Sequence, residues 1–449
     1  MSFTLRPYQG RNVAQIRERF MAKVRALLYV LPTGGGKTAV FSYIAQAARA
    51  RGNRVMILVH RQELLTQASS SLARLGVDHG LISPRYTQAN HPVQIASVQT
   101  LVRRLGQQEA PELIIVDEAH HSTAGSYRDI LRAYPKARVL GVTATPVRTD
   151  GNGLGLEHGG IYQEMILGPT IAELIADRHL VPPIVHAPEL PADLEGMSIR
   201  MGDYSRKDQA FRMNRPTITG CAIDHYLRLC PGVPAIVFCN GVEHAESVAE
   251  QFRARGIRAR SVDGNMGDLE RRHAIEGLGN GSVDALTSAD LIGEGVDVPA
   301  CGAVIQLRRT MSLALWLQQI GRCLRPAPGK ERAYVLDHVG NVALHGYPTW
   351  DQAWSLEGAE KDGSGGSGGG LGGVKLAQCP SKDCRHLFER GPLECPECGA
   401  TLPVRGRGAD QLEGELEPVD QEKLRAARAA AMARAQERKQ KALTVPAVY

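Results

Sequence analysis

The chain has 449 residues, of which 43% are hydrophobic and 5% aromatic, and its formal net charge at pH 7 is +6. This length predicts two or three domains, and the scarcity of aromatic residues favours aliphatic α/β cores over a β-sandwich. There is no run of about 18 apolar residues and no apolar signal core, so the sequence predicts a soluble, intracellular protein without a membrane partner. The small net charge permits nucleic-acid binding without requiring it.

Strand-like and helix-like segments alternate through the first third of the chain. The expected elements, in order, are Leu27–Val30, Lys37–Ala50, Val55–His60, Gln62–Leu75, Leu113–Val116 and Val139–Val142. Such alternation predicts a parallel sheet covered by helices on both faces. We therefore expect residues 1–160 to form one α/β domain.

The segment between the first strand and the first helix has the composition of a phosphate-binding loop. It contains three consecutive glycines, Gly34, Gly35 and Gly36. These let backbone N–H groups turn toward phosphate oxygens at the helix N-terminus. Lys37 is expected to neutralise the β- and γ-phosphates, and Thr38 to ligate Mg²⁺. The full pattern would have glycine where this chain has Leu31, so a purely structural glycine turn stays the alternative.

Two acidic residues follow the expected strand Leu113–Val116. A carboxylate at the C-terminal edge of a parallel strand points toward the ligand crevice. Asp117 is therefore expected to hold Mg²⁺ through water, and Glu118 to orient and activate an attacking water. His120 is expected to couple this site to the other domain. Adjacent acids alone are weak evidence, but together with the phosphate loop they predict nucleotide hydrolysis.

The alternation resumes in the second half of the chain. The expected elements are Ala235–Cys239, Val242–Arg255, Arg258–Val262, Asp268–Gly277, Val283–Thr287, Ala303–Gln306, Leu313–Gly321 and Ala333–Leu336. They predict a second α/β domain over residues 161–350, and the crossover is expected within about residues 150–180.

Two arginines end the last expected helix of this domain. Arg322 and Arg325 are separated by nearly one helical turn, so both can project toward a γ-phosphate held by the first domain. There they would stabilise the charge that develops in the transition state. ATP binding would then close the cleft between the domains, and hydrolysis would release it. A surface salt-bridge pair is the alternative interpretation.

The C-terminal part divides into three segments. Residues 358–374 are a Gly/Ser-rich linker, in which Asp362–Gly373 is expected to behave as a flexible tether rather than an ordered loop. Residues 375–404 carry a cysteine cluster, and residues 405–449 form a charged tail. In that tail, Gln421–Lys441 has seven Lys/Arg against two Glu. It predicts a basic helix, for which a solvated tail and a nucleic-acid contact both stay open.

Four cysteines lie within 20 positions: Cys379, Cys384, Cys395 and Cys398. Such clustering in an intracellular chain favours a metal over disulfides. It predicts tetrahedral Zn²⁺ in a small zinc ribbon that depends on the metal to fold and that contacts nucleic acid or a protein partner. The first spacing is four residues instead of the usual two, so His386 is an alternative ligand to Cys384. A redox dithiol at Cys395 and Cys398 is a second alternative.

Taken in order, these segments resemble superfamily 2 helicases, specifically those that contain a DEAH sequence. The resemblance covers residues 3 to about 345 and rests on the glycine-rich loop, Asp117–His120, Thr143–Thr145 and Gln318–Arg325. It implies two tandem RecA-like domains with the ATP cleft between them. Within the superfamily the chain is most similar to RadD-type bacterial and phage DNA helicases, because of Leu5-Arg6-Pro7-Tyr8-Gln9, Asp337–Asn341 and the terminal cysteines.

The resemblance also implies roles for individual residues. Those expected on the nucleotide, besides the loop and the acids, are Arg6, Gln9, Gly295 and Asp297. Those expected to contact nucleic acid are Arg61, Gln99, Thr100, Asn240 and Ser288. Those expected to couple hydrolysis to strand movement are His120, Thr143, Thr145 and Gln318.

The function implied is that of a hydrolase using ATP and Mg²⁺ to move on or unwind nucleic acid. DNA repair or recombination, in the cytoplasm or nucleoid of a bacterial or phage-infected cell, is the expected setting. Thr143–Thr145 and Gln318–Arg325 differ from the segments usual in RNA helicases of the DEAD-box type, which favours DNA. An RNA helicase, and an ATP-gated clamp or motor subunit of a restriction-type complex, stay open as alternatives.

Overall fold

Short strands rich in valine, isoleucine and leucine lie at the centre of both halves of the structure. The computed structural model describes residues 4–86, 90–148, 152–188, 199–200, 203–204, 216–289, 297–357, 376–379, 381, 384, 386–389, 394–401 and 416–444. The chain falls into two compact units. One comprises Met1–Leu180, Gly293–Asp297 and Asp351–Lys361, and the other comprises Val181–Ile292, Val298–Trp350 and Asp362–Tyr449.

The first unit contains a seven-stranded parallel sheet. Its strands are β1 (Ala26–Val30), β2 (Val55–Val59), β3 (Gly80–Ile82), β4 (Val93–Ser97), β5 (Leu113–Asp117), β6 (Arg138–Thr143) and β7 (Glu164–Leu167). They are ordered β3-β4-β2-β5-β6-β1-β7, and every pairing is parallel. β1, β2 and β5 are buried along their whole length, which explains why they have continuous apolar sequences instead of alternating ones.

Helices accompany this sheet in the expected order. They are α1 (Pro7–Met21), α2 (Lys37–Arg49), α3 (Gln62–Arg74), α4 (Val98–Leu101), α5 (Gly125–Ala133) and α6 (Ile171–Ala176). The sheet continues beyond residue 160, because β7 pairs with β1. Trp354 and Leu356, from late in the chain, also pack against the core of this unit. The predicted α/β class is confirmed.

The second unit repeats the design. Its sheet contains β8 (Pro183–Pro188), β11 (Ala235–Phe238), β12 (Ala259–Val262), β13 (Ala285–Ser288), β14 (Ala303–Gln306), β15 (Ala333–Asp337) and β18 (Leu416–Pro418). The order is β12-β13-β11-β14-β15-β8-β18. All pairings are parallel except the last, in which β18 runs antiparallel to β8. β9 (Ile199–Arg200) and β10 (Asp203–Tyr204) form a separate hairpin.

The helices of this unit complete the second α/β domain. They are α7 (Pro216–Leu229), α8 (Val242–Ala254), α9 (Asp268–Asn280), α10 (Leu313–Ile320), α11 (Asn341–His345) and α12 (Gln421–Thr444). A small hairpin of β16 (Leu376–Gln378) and β17 (Leu387–Glu389) carries the cysteine cluster. The expected glycine tether, Asp362–Gly373, lies outside the described residues.

The charged tail is not a free extension where the structure describes it. β18 adds an edge strand to the second sheet, and the first half of α12 buries Leu424, Ala427 and Ala431. On the same helix, Arg428 Nη1 donates to the carbonyls of Ala343 and Leu344 at 3.0 and 2.5 Å. These carbonyls belong to the last turn of α11, where a cation is favourable.

Candidate active site

The phosphate loop leaves the C-terminal end of β1 and enters α2. Gly34 and Gly36 both have φ +85°, which is the left-handed region that glycine adopts without strain. A Cβ atom on Gly36 would also lie 2.5 Å from Gln9 Nε2. The backbone conformation and the space available therefore both require glycine at this position. Lys37 Nζ donates to the Leu31 carbonyl at 3.3 Å. This contact holds the ammonium group against the loop that the sequence predicts to bind phosphate.

The start of α1 is fastened to this loop. The Tyr8 hydroxyl donates to the Gly35 carbonyl at 2.6 Å, and Gln9 Nε2 donates to the same oxygen at 3.2 Å. The backbone N–H of Arg6 donates to Gln9 Oε1 at 2.9 Å. Gln9 is therefore fixed at both ends of its amide. Sequence reasoning missed Tyr8, because nothing in its own sequence context indicates a contact 27 residues away.

The two acidic residues lie where β5 ends. Both are buried, with exposed fractions of 5% for Asp117 and 8% for Glu118. Glu118 has φ +48°, a strained conformation for a non-glycine residue and one that occurs preferentially at functional sites. Its Oε2 makes no hydrogen bond to any described residue, although His120 Nδ1 lies 3.5 Å away within ion-pair range. A buried carboxylate oxygen without a donor is suited to accept a hydrogen bond from substrate water.

A chain of contacts joins these acids to the phosphate loop. The Leu31 N–H donates to the Thr143 carbonyl at 2.9 Å, and His120 Nδ1 lies 3.1 Å from Thr143 Oγ1. Thr143 Oγ1 donates to the Thr145 carbonyl at 3.0 Å and accepts the Thr145 N–H at 3.2 Å. Because a hydroxyl has one proton to donate, this pattern assigns a proton to His120 Nδ1. The predicted coupling residues of this unit are thus brought together.

The candidates in the second unit lie around the end of α10. Gln318 and Arg322 are buried, whereas Arg325 is half-buried. The backbone there is fixed, since the Leu324 carbonyl accepts the Val181 N–H at 2.8 Å. Asp297 is exposed. Gly295 lies outside the described residues.

The expected nucleic-acid contacts of the first unit differ in accessibility. Arg61 directly precedes α3. Gln99 is exposed, and its Oε1 accepts the Ser97 hydroxyl at 3.0 Å. Thr100, by contrast, is buried. Contacts of these residues with nucleic acid stay predictions.

The two candidates of the second unit are buried where β11 and β13 end. The exposed fractions of Asn240 and Ser288 are 1% and 0%. Asn240 Nδ2 donates to the Leu307 carbonyl at 3.0 Å, and its backbone N–H donates to His244 Nδ1 at 3.2 Å. These bonds give Asn240 a structural role, and its contact with nucleic acid stays a prediction.

The four predicted cysteines converge. Their sulfur atoms all lie within 4.8 Å of one another, with 3.4 Å between Cys379 and Cys398 and 3.8 Å between Cys384 and Cys395. A tetrahedron with Zn–S bonds of about 2.3 Å has edges of about 3.8 Å, so the sulfur positions fit Zn²⁺. The ring of His386 instead stacks on Phe388, with centroids 6.0 Å apart, and it is not part of the cluster.

One thiol of the cluster is prepared for ionisation. Burial disfavours the Cys395 thiolate, but hydrogen bonds from the backbone N–H groups of Cys398 and Glu397, and from the thiols of Cys379 and Cys398, lower the pKa of Cys395 to about 7. Hydrogen bonds to a charged form favour that form, and the thiolate is the form in which a cysteine binds a metal.

Comparison with known proteins assigns the family. Residues 2–148 match the family described as "Type III restriction enzyme, res subunit", and residues 222–327 match "Helicase conserved C-terminal domain". A 51.5 kDa protein of Lactococcus phage (isolate 7-9) is 33% identical over 398 residues, which are 88% of this chain and 82% of that protein. The chain belongs to the superfamily 2 helicases. Membership identifies this helicase as an ATP hydrolase, while the narrower RadD type stays an expectation.

Two further similarities bear on this helicase. IRC3 of Saccharomyces cerevisiae, whose name describes an ATP-dependent helicase, is 29% identical over 77% of this chain and 53% of its own length. The structure of the ATP-dependent Type ISP restriction-modification enzyme LlaBIII bound to DNA covers 74% of this chain and 28% of that one. Its TM-score is 0.55 at 17% identity, so it supports the fold alone. Among the described residues, no helix is long and apolar enough to cross a membrane.

Proposed function

We propose that this helicase couples ATP hydrolysis to movement on or unwinding of DNA, in repair or recombination. The observation that carries the proposal is the buried Glu118 carboxylate, joined through His120 and Thr143 to the phosphate loop. That chain of contacts connects a group able to activate water with a segment, Thr143–Thr145, that can respond to the state of the nucleotide.

The ATP site is proposed to be built on the first unit. Gly34, Gly35 and Gly36 would present backbone N–H groups to the phosphates, and Lys37 would turn from the Leu31 carbonyl to the β- and γ-phosphates. Gln9, whose amide already bridges Arg6 and the loop, is proposed to read the edge of the adenine base, and Arg6 to flank the adenine ring.

Thr38 and Asp117 supply the metal-binding groups. A hydroxyl at the start of α2 and a buried carboxylate at the end of β5 are oxygen donors of the kind that Mg²⁺ prefers. Mg²⁺, when bound, would neutralise phosphate charge. Glu118 would then orient a water toward the γ-phosphate and accept its proton at the oxygen that makes no hydrogen bond to the described residues.

The second unit is proposed to complete catalysis. Arg322 and Arg325 would stabilise the charge that develops on the transferred phosphoryl group. Gln318 would relay the nucleotide state. Gly295 and Asp297, from the segment Gly293–Asp297 of the first unit, would serve the nucleotide. Each of these assignments can be tested by a variant of its own residue.

DNA is the proposed partner, contacted mainly through its backbone and therefore without sequence selectivity. The match to a restriction-enzyme family supports DNA over RNA. Arg61, Gln99, Thr100, Asn240 and Ser288 are the proposed contacts, and the nucleoid of a bacterial or phage-infected cell would be the site of action. The same match favours a second candidate function, that of a motor subunit in a restriction-type complex.

The cysteine cluster is proposed to bind Zn²⁺ through Cys379, Cys384, Cys395 and Cys398. The sulfur positions support this assignment, and metal binding would add to the contacts that α12 makes with the small hairpin. Its role would be to contact nucleic acid or a protein partner.

ATPase assays with single-stranded, duplex and forked DNA, and with RNA, test the proposal. We expect stimulation by DNA, loss of turnover in Lys37→Ala, and ATP trapped without turnover in Glu118→Gln. Lys136→Ala and Glu157→Gln, at exposed positions, are the matched controls and should behave as wild type. Preferential stimulation by RNA would contradict the DNA assignment. Turnover without any nucleic-acid response would favour the motor-subunit alternative.

A further inference from the structure

The ammonium group of Lys330 is held by main-chain carbonyls, and the proposed mechanism gives it no role. Its Nζ donates to three backbone carbonyls, those of Pro299, Cys301 and Arg325, at 3.2, 2.5 and 2.6 Å. An ammonium group has three protons to donate, so all three are used within the second unit. Burial lowers the pKa of Lys330, as expected for an ammonium group withdrawn from water.

Local sequence places Lys330 at this point. The Lys330 N–H donates to the Ala327 carbonyl at 3.1 Å, which closes a four-residue turn with Pro328 and Gly329 at its centre. Gly329 has φ +74°. Proline followed by a glycine with positive φ is the signature of a type II turn. The turn reverses the chain after Arg325 and brings the lysine back to the Arg325 carbonyl.

The three carbonyls belong to two segments with separate roles in the proposed mechanism. Pro299 and Cys301 follow Asp297 closely and lead into β14, whereas Arg325 closes the segment that begins at Gln318. Without Lys330, the described backbone contacts that hold this second segment are the bond from the Val181 N–H to the Leu324 carbonyl and short-range bonds such as Cys323 N–H to Ile320. The Lys330 side chain joins the two segments.

We propose that Lys330 is a positioning residue for the arginines of the ATP site. It fixes the main chain of Arg325 relative to Pro299 and Cys301, so that the guanidinium groups extend from a main chain held in one position. Since the groups proposed to bind ATP lie on the first unit, Lys330 should influence turnover and leave nucleotide affinity unchanged. The inference rests on the proposed role of Arg325.

The test compares Lys330→Met with Arg332→Met, both assayed as full-length protein with DNA. Arg332 lies two residues after Lys330 and is exposed, so its replacement removes one positive charge and leaves the contacts of the Arg325 main chain in place. A displacement near 1 Å at a catalytic group costs about 100-fold in rate. We therefore expect kcat to fall about 10- to 100-fold in Lys330→Met, with affinity for a non-hydrolysable ATP analogue within about twofold of wild type.

A double-mutant cycle separates positioning from general destabilisation. If Lys330 acts through Arg325, then Lys330→Met should add almost nothing to the loss of kcat already caused by Arg325→Ala. Multiplicative losses, or wild-type kcat in Lys330→Met, would overturn the inference. If Lys330→Met does not fold, Lys330→Gln, which keeps two N–H donors, takes its place in the same cycle. Normal turnover in Arg325→Ala would instead overturn the proposed role of the arginine itself.

Discussion

Lowering the pH from 7 to 5 should destabilise the second unit through His244. The ring is 1% exposed, Nδ1 accepts the Asn240 N–H at 3.2 Å, and burial lowers the pKa of His244 from 6.5 to about 4. Between these values the unfolded chain binds a proton that the folded unit does not. The contribution of the neutral His244 ring to the free energy of unfolding is therefore fully present above about pH 6.5, and it decreases as the pH falls toward 4. For these two pKa values, the loss between pH 7 and pH 5 is about 2 kcal/mol.

The tryptophans make this loss measurable within the full chain. The chain has three, Trp316, Trp350 and Trp354, and Trp354 alone belongs to the first unit. In a Trp354→Phe background, urea unfolding followed by fluorescence reports the second unit. His244→Asn keeps an acceptor near the position of Nδ1 and does not titrate. Between pH 7 and pH 5, the free energy of unfolding of the second unit should fall by about 2 kcal/mol more in the parent protein than in this variant. An equal fall in both would refute the reasoning.

Two further predictions concern the C-terminal part. Cys384→Ala should lose bound zinc and His386→Ala should keep it, because the sulfur of Cys384 belongs to the cluster and the ring of His386 does not. Metal analysis of the purified proteins measures this. Zinc lost from His386→Ala alone would reverse the ligand assignment. Leu424→Ala should lower the free energy of unfolding of the second unit by about 2–5 kcal/mol, measured in the same urea assay, since Leu424 is buried. Glu422→Ala, exposed on the same helix, should change it by less than about 0.5 kcal/mol, and equal effects of the two substitutions would argue against the packing of α12.

The sequence predicted best those features that depend on neighbouring residues. Nine of the fourteen strands in the two sheets were expected from apolar runs in the sequence, and their observed ends lie within two residues of the expected ones. No strand was expected at β3, β4, β7, β8 or β18. The phosphate loop was predictable for the same reason, because glycine at φ +85° and a lysine at the helix start are local requirements. The convergence of the four cysteines followed from spacing and the preference of zinc for thiolates.

Features that depend on distant residues could not be predicted. β18 is three residues long and has no periodicity of its own, yet it completes the second sheet by pairing with β8, more than 200 positions earlier. Tyr8 and Lys330 carry no local sign of their partners, which are backbone carbonyls. Every residue type has a backbone carbonyl that can accept a hydrogen bond. The sequence therefore does not indicate which carbonyl a given side chain will bind.

The docked tail changes how the cysteine cluster relates to the rest of the helicase. A glycine-rich linker on one side predicts a module that moves independently, but on the other side the chain returns to the second sheet as β18 and then packs as α12. α12 also contacts the β16–β17 hairpin that presents the cysteines. The proposed metal binding and the packing of α12 are therefore expected to be coupled: the free energy that docked α12 adds to metal binding is the free energy that bound metal adds to the packing of α12. The cysteine segment is consequently linked to the second sheet through β18 and the helix that follows it.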